Sequence, residues 1–243
     1  MFKTLTGRGW PGFLLAASLA AAPLPLFAQS TGADARPTVA VLYFTNSSLV
    51  DFASYAPLSK GMAEMMISEI AQNSAVRVVE RDRLQSLLEE QNLQSSDRVD
   101  KSTAVKLGKT LGAGHMLMGS FIIDPSKTMR IDVRSVNTET GQIEYTESVS
   151  GKSEKLLDLV IQLGAKVNAG LKLPALKTAS STVPAAKSPN QFKALMAMSQ
   201  ALEAEDKKDV NSATALYKSA VALNPDFDRA KTRLASLQKI SSP

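Results

Sequence analysis

The sequence predicts an α/β protein: a mixed five-stranded sheet, made of a parallel strand pair plus an antiparallel meander, with packed helices and then a small all-α module. Three patterns carry this. Short β-branched runs alternate with amphipathic helical stretches early in the chain, three strands separated by turn residues follow, and a segment with three prolines sets off a terminal helical region.

At the amino terminus Lys3 and Arg8 precede an apolar stretch over residues 13–22, closed by Pro23, Pro25 and Leu26-Phe27-Ala28. That is the layout of a secretory signal peptide, read as residues 1–28 and cleaved after Ala28. Its uninterrupted apolar part is about ten residues, half of the ~20 a helix needs to cross a bilayer. Export places the mature chain in the periplasm. No later stretch is apolar enough to span a membrane, and the absence of cysteine excludes both disulfides and a lipid-bearing cysteine. Any outer-membrane association is therefore expected to run through a partner. Losing Lys3 and Arg8 leaves 26 basic against 23 acidic residues, a net +3 that gives no nucleic-acid footprint.

The α/β domain is expected over residues 37–173. Residues 38–44 read as a buried strand. From Leu58 the period changes: Leu58, Met62, Met65, Met66 and Ile70 recur at helical spacing, with Lys60, Glu64, Ser68 and Gln72 on the other side. Residues 76–80 return to strand chemistry, and a strand–helix–strand order favours a parallel pair with a right-handed crossover. Residues 83–91 and 102–111 form two helices, the second stopped by Gly112. Strands over 115–123, 129–136 and 143–149 follow, joined by turns at 124–127 and 137–141. In the middle one Met129, Ile131 and Val133 alternate with Arg130, Asp132 and Arg134, so one face is buried and the other meets water. Ser153 is placed to cap a closing helix whose core face holds Leu156, Leu157, Val160, Leu163, Val167 and Leu171, with Pro174 as its stop.

Residues 174–189 are too poor in apolar side chains to offset their ordering entropy and read as a linker. From 190 to 243 the chain reads helix, turn, helix, then a capping helix with Phe227, Leu234 and Leu237. The second helix places Ala213, Tyr217, Ala220 and Pro225 at the small, aromatic, small and proline spacings of a tetratricopeptide repeat, which this stretch resembles. Ala201 fills the small position of the first helix, while Ala197 and Ala204 stand where large aromatics are usual. One repeat plus a cap is below the three or so that normally support a solenoid. The module is therefore expected to dock, either on the α/β domain or on a second copy of the chain as a homo-oligomer.

Catalytic constellations fail one by one. Composition removes cysteine nucleophiles, and the single histidine, His115, opens an apolar strand rather than facing a serine. Zinc sites need several His or Cys ligands. Asp97 and Asp100 read better as a helix-cap loop than as an oxygen-ligand site. Gly108-Lys109-Thr110 lies inside a helix and lacks the leading glycine of a phosphate loop, and the adjacent Glu89 and Glu90 point apart. No catalytic residue, metal or cofactor is expected, and the chain is read as a non-enzyme.

Four motifs occur in order over residues 37–172: Val39-Ala-Val-Leu-Tyr-Phe44, then Val78-Val79-Glu80-Arg81 followed by Leu84, Leu87, Leu88 and Glu89, then Leu111-Gly112-Ala113-Gly114 and Met118-Gly119-Ser120, and finally Val136-Asn137 with Thr140-Gly141. In these residues the stretch resembles the domain shared by the curli production assembly and transport family and by penicillin-binding-protein activators. Pore-forming members insert long hairpins, for which each limb needs ~9–11 residues. Neither the turn after Ile123 nor the step from Val149 to the last helix has that room, so no channel is expected. The loop over 45–57 lies where pore formers place a constriction loop, and Ser54-Tyr55 is similar to that family's Asn-aromatic pair. The resemblance implies a periplasmic interaction protein, an accessory or adaptor of outer-membrane secretion or surface assembly, with Phe52 and Tyr55 as its partner-binding residues. Two alternatives stay open: a regulator of peptidoglycan synthesis that binds a cell-wall synthase, and a small-ligand binder or enzyme with a pocket the sequence hides.

Overall fold

The computed structural model describes residues 36–93, 99–173 and 190–240. The expected signal peptide, the linker, Asp97 and Pro174 lie outside the described residues. The described residues form one compact unit.

The strands are β1 (Thr38–Val41), β2 (Thr45–Asn46), β3 (Arg77–Val78), β4 (His115–Ile123), β5 (Thr128–Asn137) and β6 (Ile143–Lys152). The sheet order is β3-β1-β4-β5-β6, with β2 pairing the far half of β4. β1 pairs in parallel with both β3 and β4, and β4-β5-β6 is the antiparallel meander. The expected five strands are all present. The sheet nevertheless has six, because Thr45 and Asn46 of the expected loop pair in parallel with Ser120 and Phe121.

The helices are α1 (Phe52–Tyr55), α2 (Leu58–Ala71), α3 (Arg81–Glu90), α4 (Lys101–Leu111), α5 (Leu156–Gly170), α6 (Gln191–Asp206), α7 (Val210–Leu223) and α8 (Asp228–Ile240). α4 behaves as its sequence dictates. Asp100 accepts from the Thr103 backbone N–H at 2.7 Å, capping the helix, and Gly112 ends it at φ 66°, a left-handed conformation that costs glycine no side-chain clash. Ser153 does not cap α5. It opens a single 3-10 turn, Ser153–Lys155, and its N–H is taken by the Lys127 carbonyl, so that turn rather than a side chain leads β6 into α5.

α2 and α5 cover one face of the sheet, where Leu159 meets Gly151 and Glu69 with Met66 meets Gly164. α4 covers the end of the opposite face, its Gly108 lying on Met116 and Thr138. Leu58, Met62, Met66 and Ile70 of α2 are completely buried. Removing each such side chain from water stabilises the fold by about 1.5–3 kcal/mol.

The other side of α2 departs from the amphipathic reading: Glu64 is fully buried there as well. The reason is the helical module. α6 lies along α2, and at Gly61 the approach is so close that an added Cβ would collide with the Ser199 side chain. Leu195, Met198 and Leu202 of α6 are fully buried. The module thus docks on its own chain's α/β layer, making α2 a middle layer with sheet on one side and helices on the other.

Candidate partner-binding loop and the charged seam behind it

Residues 47–57 leave β2 at the sheet's end and return to α2. The Ser47 N–H bonds the Phe121 carbonyl at 2.7 Å, the Ser48 hydroxyl accepts from the Ile123 N–H at 3.1 Å, and the Asn46 side chain donates to the Phe52 carbonyl at 2.8 Å. Asp51 adopts a left-handed φ of 50° that turns the chain into the short helix α1. The loop is therefore pinned at both its stem and its tip.

On this frame the two aromatic residues part company. Tyr55 is buried, stacked edge-on against Phe192 of α6 with centroids 6.1 Å apart, and its hydroxyl accepts from Lys127 Nζ at 2.8 Å. Phe52 is 53% exposed, and Leu49, three residues earlier in the same loop, 79%. Large apolar side chains held in water on a rigid loop are the usual mark of a contact surface. Leu49 was not singled out in the sequence, where its setting in Ser47-Ser48-Leu49-Val50 gives only one signal, an aliphatic pair inside a polar loop.

In the helical module Ala201, Ala213, Tyr217 and Ala220 are fully buried, and Pro225 sits exposed in the turn between α7 and α8. Ala197 and Ala204 are also buried.

What the sequence did not disclose is a charged seam between module and α/β layer. Glu64 Oε1 accepts from Arg229 Nε at 2.6 Å and lies 3.7 Å from Arg233 Nε, while Glu64 Oε2 is 3.8 Å from Arg81 Nε. Arg81 Nη1 donates to Asp206 at 2.8 Å, Lys60 reaches the same carboxylate at 2.5 Å, and Arg233 grips both Asp82 oxygens at 2.9 Å and Glu205 at 3.1 Å. Four cations thus face four carboxylates across the seam, so the buried Glu64 and Arg81 each lie beside groups of opposite charge. The signal that could have found it is the one-turn spacing of Arg229 and Arg233 on α8.

Asp82 gives the seam a pH signature. The Arg233 hydrogen bonds, helped by Arg81, hold its carboxyl at about 2 against partial burial. A folded-state value below the unfolded ~3.9 means its contribution is complete above pH ~4 and disappears as pH falls through about 2. The stability advantage of the wild type over Asp82→Asn, measured by urea midpoints, is expected to be constant above pH ~5 and to vanish near pH ~2. An advantage unchanged down to pH ~2 would show that the Arg233 pairing is not formed.

Among the described residues no group of three or more His, Asp or Glu is placed to hold a metal ion. His115 Nδ1 lies 2.5 Å from Glu144 Oε1, which also accepts from the Ser135 hydroxyl at 2.7 Å. Burial raises the Glu144 carboxyl, but these hydrogen bonds outweigh it and hold it below the usual range. Ser135 therefore bonds the acid and not the imidazole, and it is fully buried, which is not a nucleophile's arrangement. Asp100 is spent on its cap, and Gly108 faces Met116 inside α4.

Residues 20–123, ending with β4, match the family model described as curli production assembly/transport component CsgG. No curated protein matches the chain. Among solved structures, this chain is similar to LpoB from Escherichia coli at 15% identity and TM-score 0.40, over 63% of this chain and 82% of that one. It is similar to lipoprotein GNA1162 from Neisseria meningitidis at 13% identity and TM-score 0.40, over 55% and 98%. The PelC dodecamer from Paraburkholderia phytofirmans gives 15% identity and TM-score 0.37, over 58% and 90%. Between β4 and β5 the chain has only the turn at 124–127, and β6 passes straight into the 3-10 turn, so neither place holds the long hairpin of a pore former. No helix among the described residues is long and apolar enough to cross a membrane.

Proposed function

We propose that this chain is a non-enzymatic accessory protein of the cell envelope that binds a component of an outer-membrane secretion or surface-assembly system through its 47–57 loop. The CsgG-family match supports the setting. The observation that carries the reading is the exposure of Leu49 and Phe52 on a loop pinned to the sheet. A rigid loop gives up little conformational entropy on binding, so its apolar side chains can act as anchors. Tyr55 and Lys127 serve from behind, with Phe192 of the helical module holding Tyr55 in place.

The test is affinity capture from envelope extracts with the wild type and a Leu49→Ser/Phe52→Ser variant. Both side chains lie largely in water, so the variant should unfold within ~0.5 kcal/mol of the wild type while retaining less than about a tenth of the partner. Capture of secretion or surface-assembly components by the wild type alone supports the proposal. Capture of a cell-wall synthase would move the reading to regulation of peptidoglycan synthesis, and equal capture by both proteins would remove the loop from it.

A further inference from the structure

The sheet face opposite α2 and α5 is covered by α4 only at the Met116 end. Beyond it a cavity of about 300 Å³ opens, lined by residues that include Leu42, Thr45, Met118, Ser120, Asp132 and Arg134. The strand register explains its composition. Met118 of β4 is opposite Arg134 of β5, which is opposite Thr146 of β6, so the three share one row on one face. The next row holds Ser120, Asp132 and Ser148.

The charges in this cavity are unequal in their commitments. Asp132 is taken by Arg130, which donates to it from Nε at 2.9 Å and Nη2 at 2.8 Å. Arg134 has no carboxylate partner among the described residues. The cavity therefore presents one free guanidinium, the hydroxyls of Thr45, Ser120 and Thr146, and an apolar floor of Leu42, Met118 and Val99. That combination fits a single negative charge attached to a small apolar body.

We infer that this cavity binds a small amphiphilic carboxylate, with the carboxylate on Arg134 and the apolar part on Leu42 and Met118. A guanidinium meets a carboxylate with two parallel N–H···O bonds, which a primary amide cannot reproduce. The volume is that of about ten waters at ~30 Å³ each, enough for a ligand the size of one capped amino-acid residue and too small for a long acyl chain. The same chemistry is offered by a free acyl amino acid and by the C-terminal residue of a protein. The site shares no residue with the 47–57 loop, so it stands or falls independently of the proposed function.

The experiment is a titration of the full mature chain with N-acetyl-L-leucine, followed by calorimetry and by amide chemical shifts. The expected result is saturable binding that N-acetyl-L-leucinamide fails to reproduce and that Arg134→Gln weakens about tenfold or more. Arg83→Gln, which removes an exposed cation on α3, is expected to leave binding unchanged, and circular dichroism of Arg134→Gln checks that its fold is kept. A hexapeptide ending in Leu with a free carboxylate that binds tighter than acetyl-leucine identifies a protein terminus as the source; equal or weaker binding identifies the free compound. Absence of binding by either carboxylate at ~10 mM, equal binding of the amide, or an unaffected Arg134→Gln variant overturns the inference.

Discussion

Glu64→Ala is expected to destabilise the protein by about 3–5 kcal/mol, one of the two largest effects the structure implies. The carboxylate is completely buried and is the common partner of Arg229 at 2.6 Å, Arg233 at 3.7 Å and Arg81 at 3.8 Å. Removing it leaves three guanidinium groups crowded at the seam, with only the exposed Glu80 carboxylate, 3.8 Å away, left near Arg229. A buried pair adds little relative to well-packed apolar residues, whereas breaking one by deleting a partner leaves an uncompensated charge. The loss should fall on the contact between module and α/β layer. Amide hydrogen exchange is therefore expected to rise first in α6, α7 and α8, with β4 and β5 protected until global unfolding. A double-mutant cycle with Arg229→Ala should return a coupling within ~0.5–3 kcal/mol. A loss below ~1 kcal/mol in urea unfolding would mean that the seam is open to water and that packing alone holds the module.

The seam also marks where sequence reasoning ran out. Leu58, Met62, Met66 and Ile70 were legible as the buried stripe of α2 because a period of 3.6 is a property of one segment. Glu64 was not legible as buried, because a carboxylate on the polar side of an amphipathic helix looks the same whether it faces water or arginines 165 residues later in the chain. Docking of the module was foreseeable in kind, since a helical module this short was not expected to close its own core. Its choice of α2 depends on contacts that no local pattern encodes, among them the close approach of Gly61 to Ser199 and the pairing of Glu64 with Arg229.

The loop shows the same division at smaller scale. Its position between a strand and α2 was clear, yet β2 is two residues long and too short to show alternation. Phe52 and Tyr55 are chemically alike in sequence, and only the pairing of Tyr55 with Phe192 and Lys127 separates the buried ring from the exposed one. Arg134 was read correctly as one of three polar residues on the water-facing side of β5. That Asp132 is consumed by Arg130, leaving Arg134 free, depends on a choice between two neighbours that spacing alone leaves equal.

Tyr217→Ala is expected to cost about 3–5 kcal/mol, the second large effect, because a fully buried aromatic ring is deleted from the centre of the helical module. Ala213 and Ala220 flank it at helical spacing and are themselves fully buried, and neither is long enough to refill the space. The hydroxyl donates to Glu205 Oε2 at 2.6 Å, and burial together with the Glu205 charge raises the phenol well above its ordinary range, so it stays a donor at any working pH. Tyr217→Phe separates the two contributions. It keeps the ring and removes one hydrogen bond, for an expected loss of about 0.5–1.5 kcal/mol, with Glu205 still paired to Arg233 at 3.1 Å. Urea unfolding of the two variants should therefore differ by at least ~2 kcal/mol. Near-equal losses would mean that the ring is not what holds α6 and α7 together, and the tetratricopeptide-like packing of Ala201, Ala213, Tyr217 and Ala220 would have to be given up.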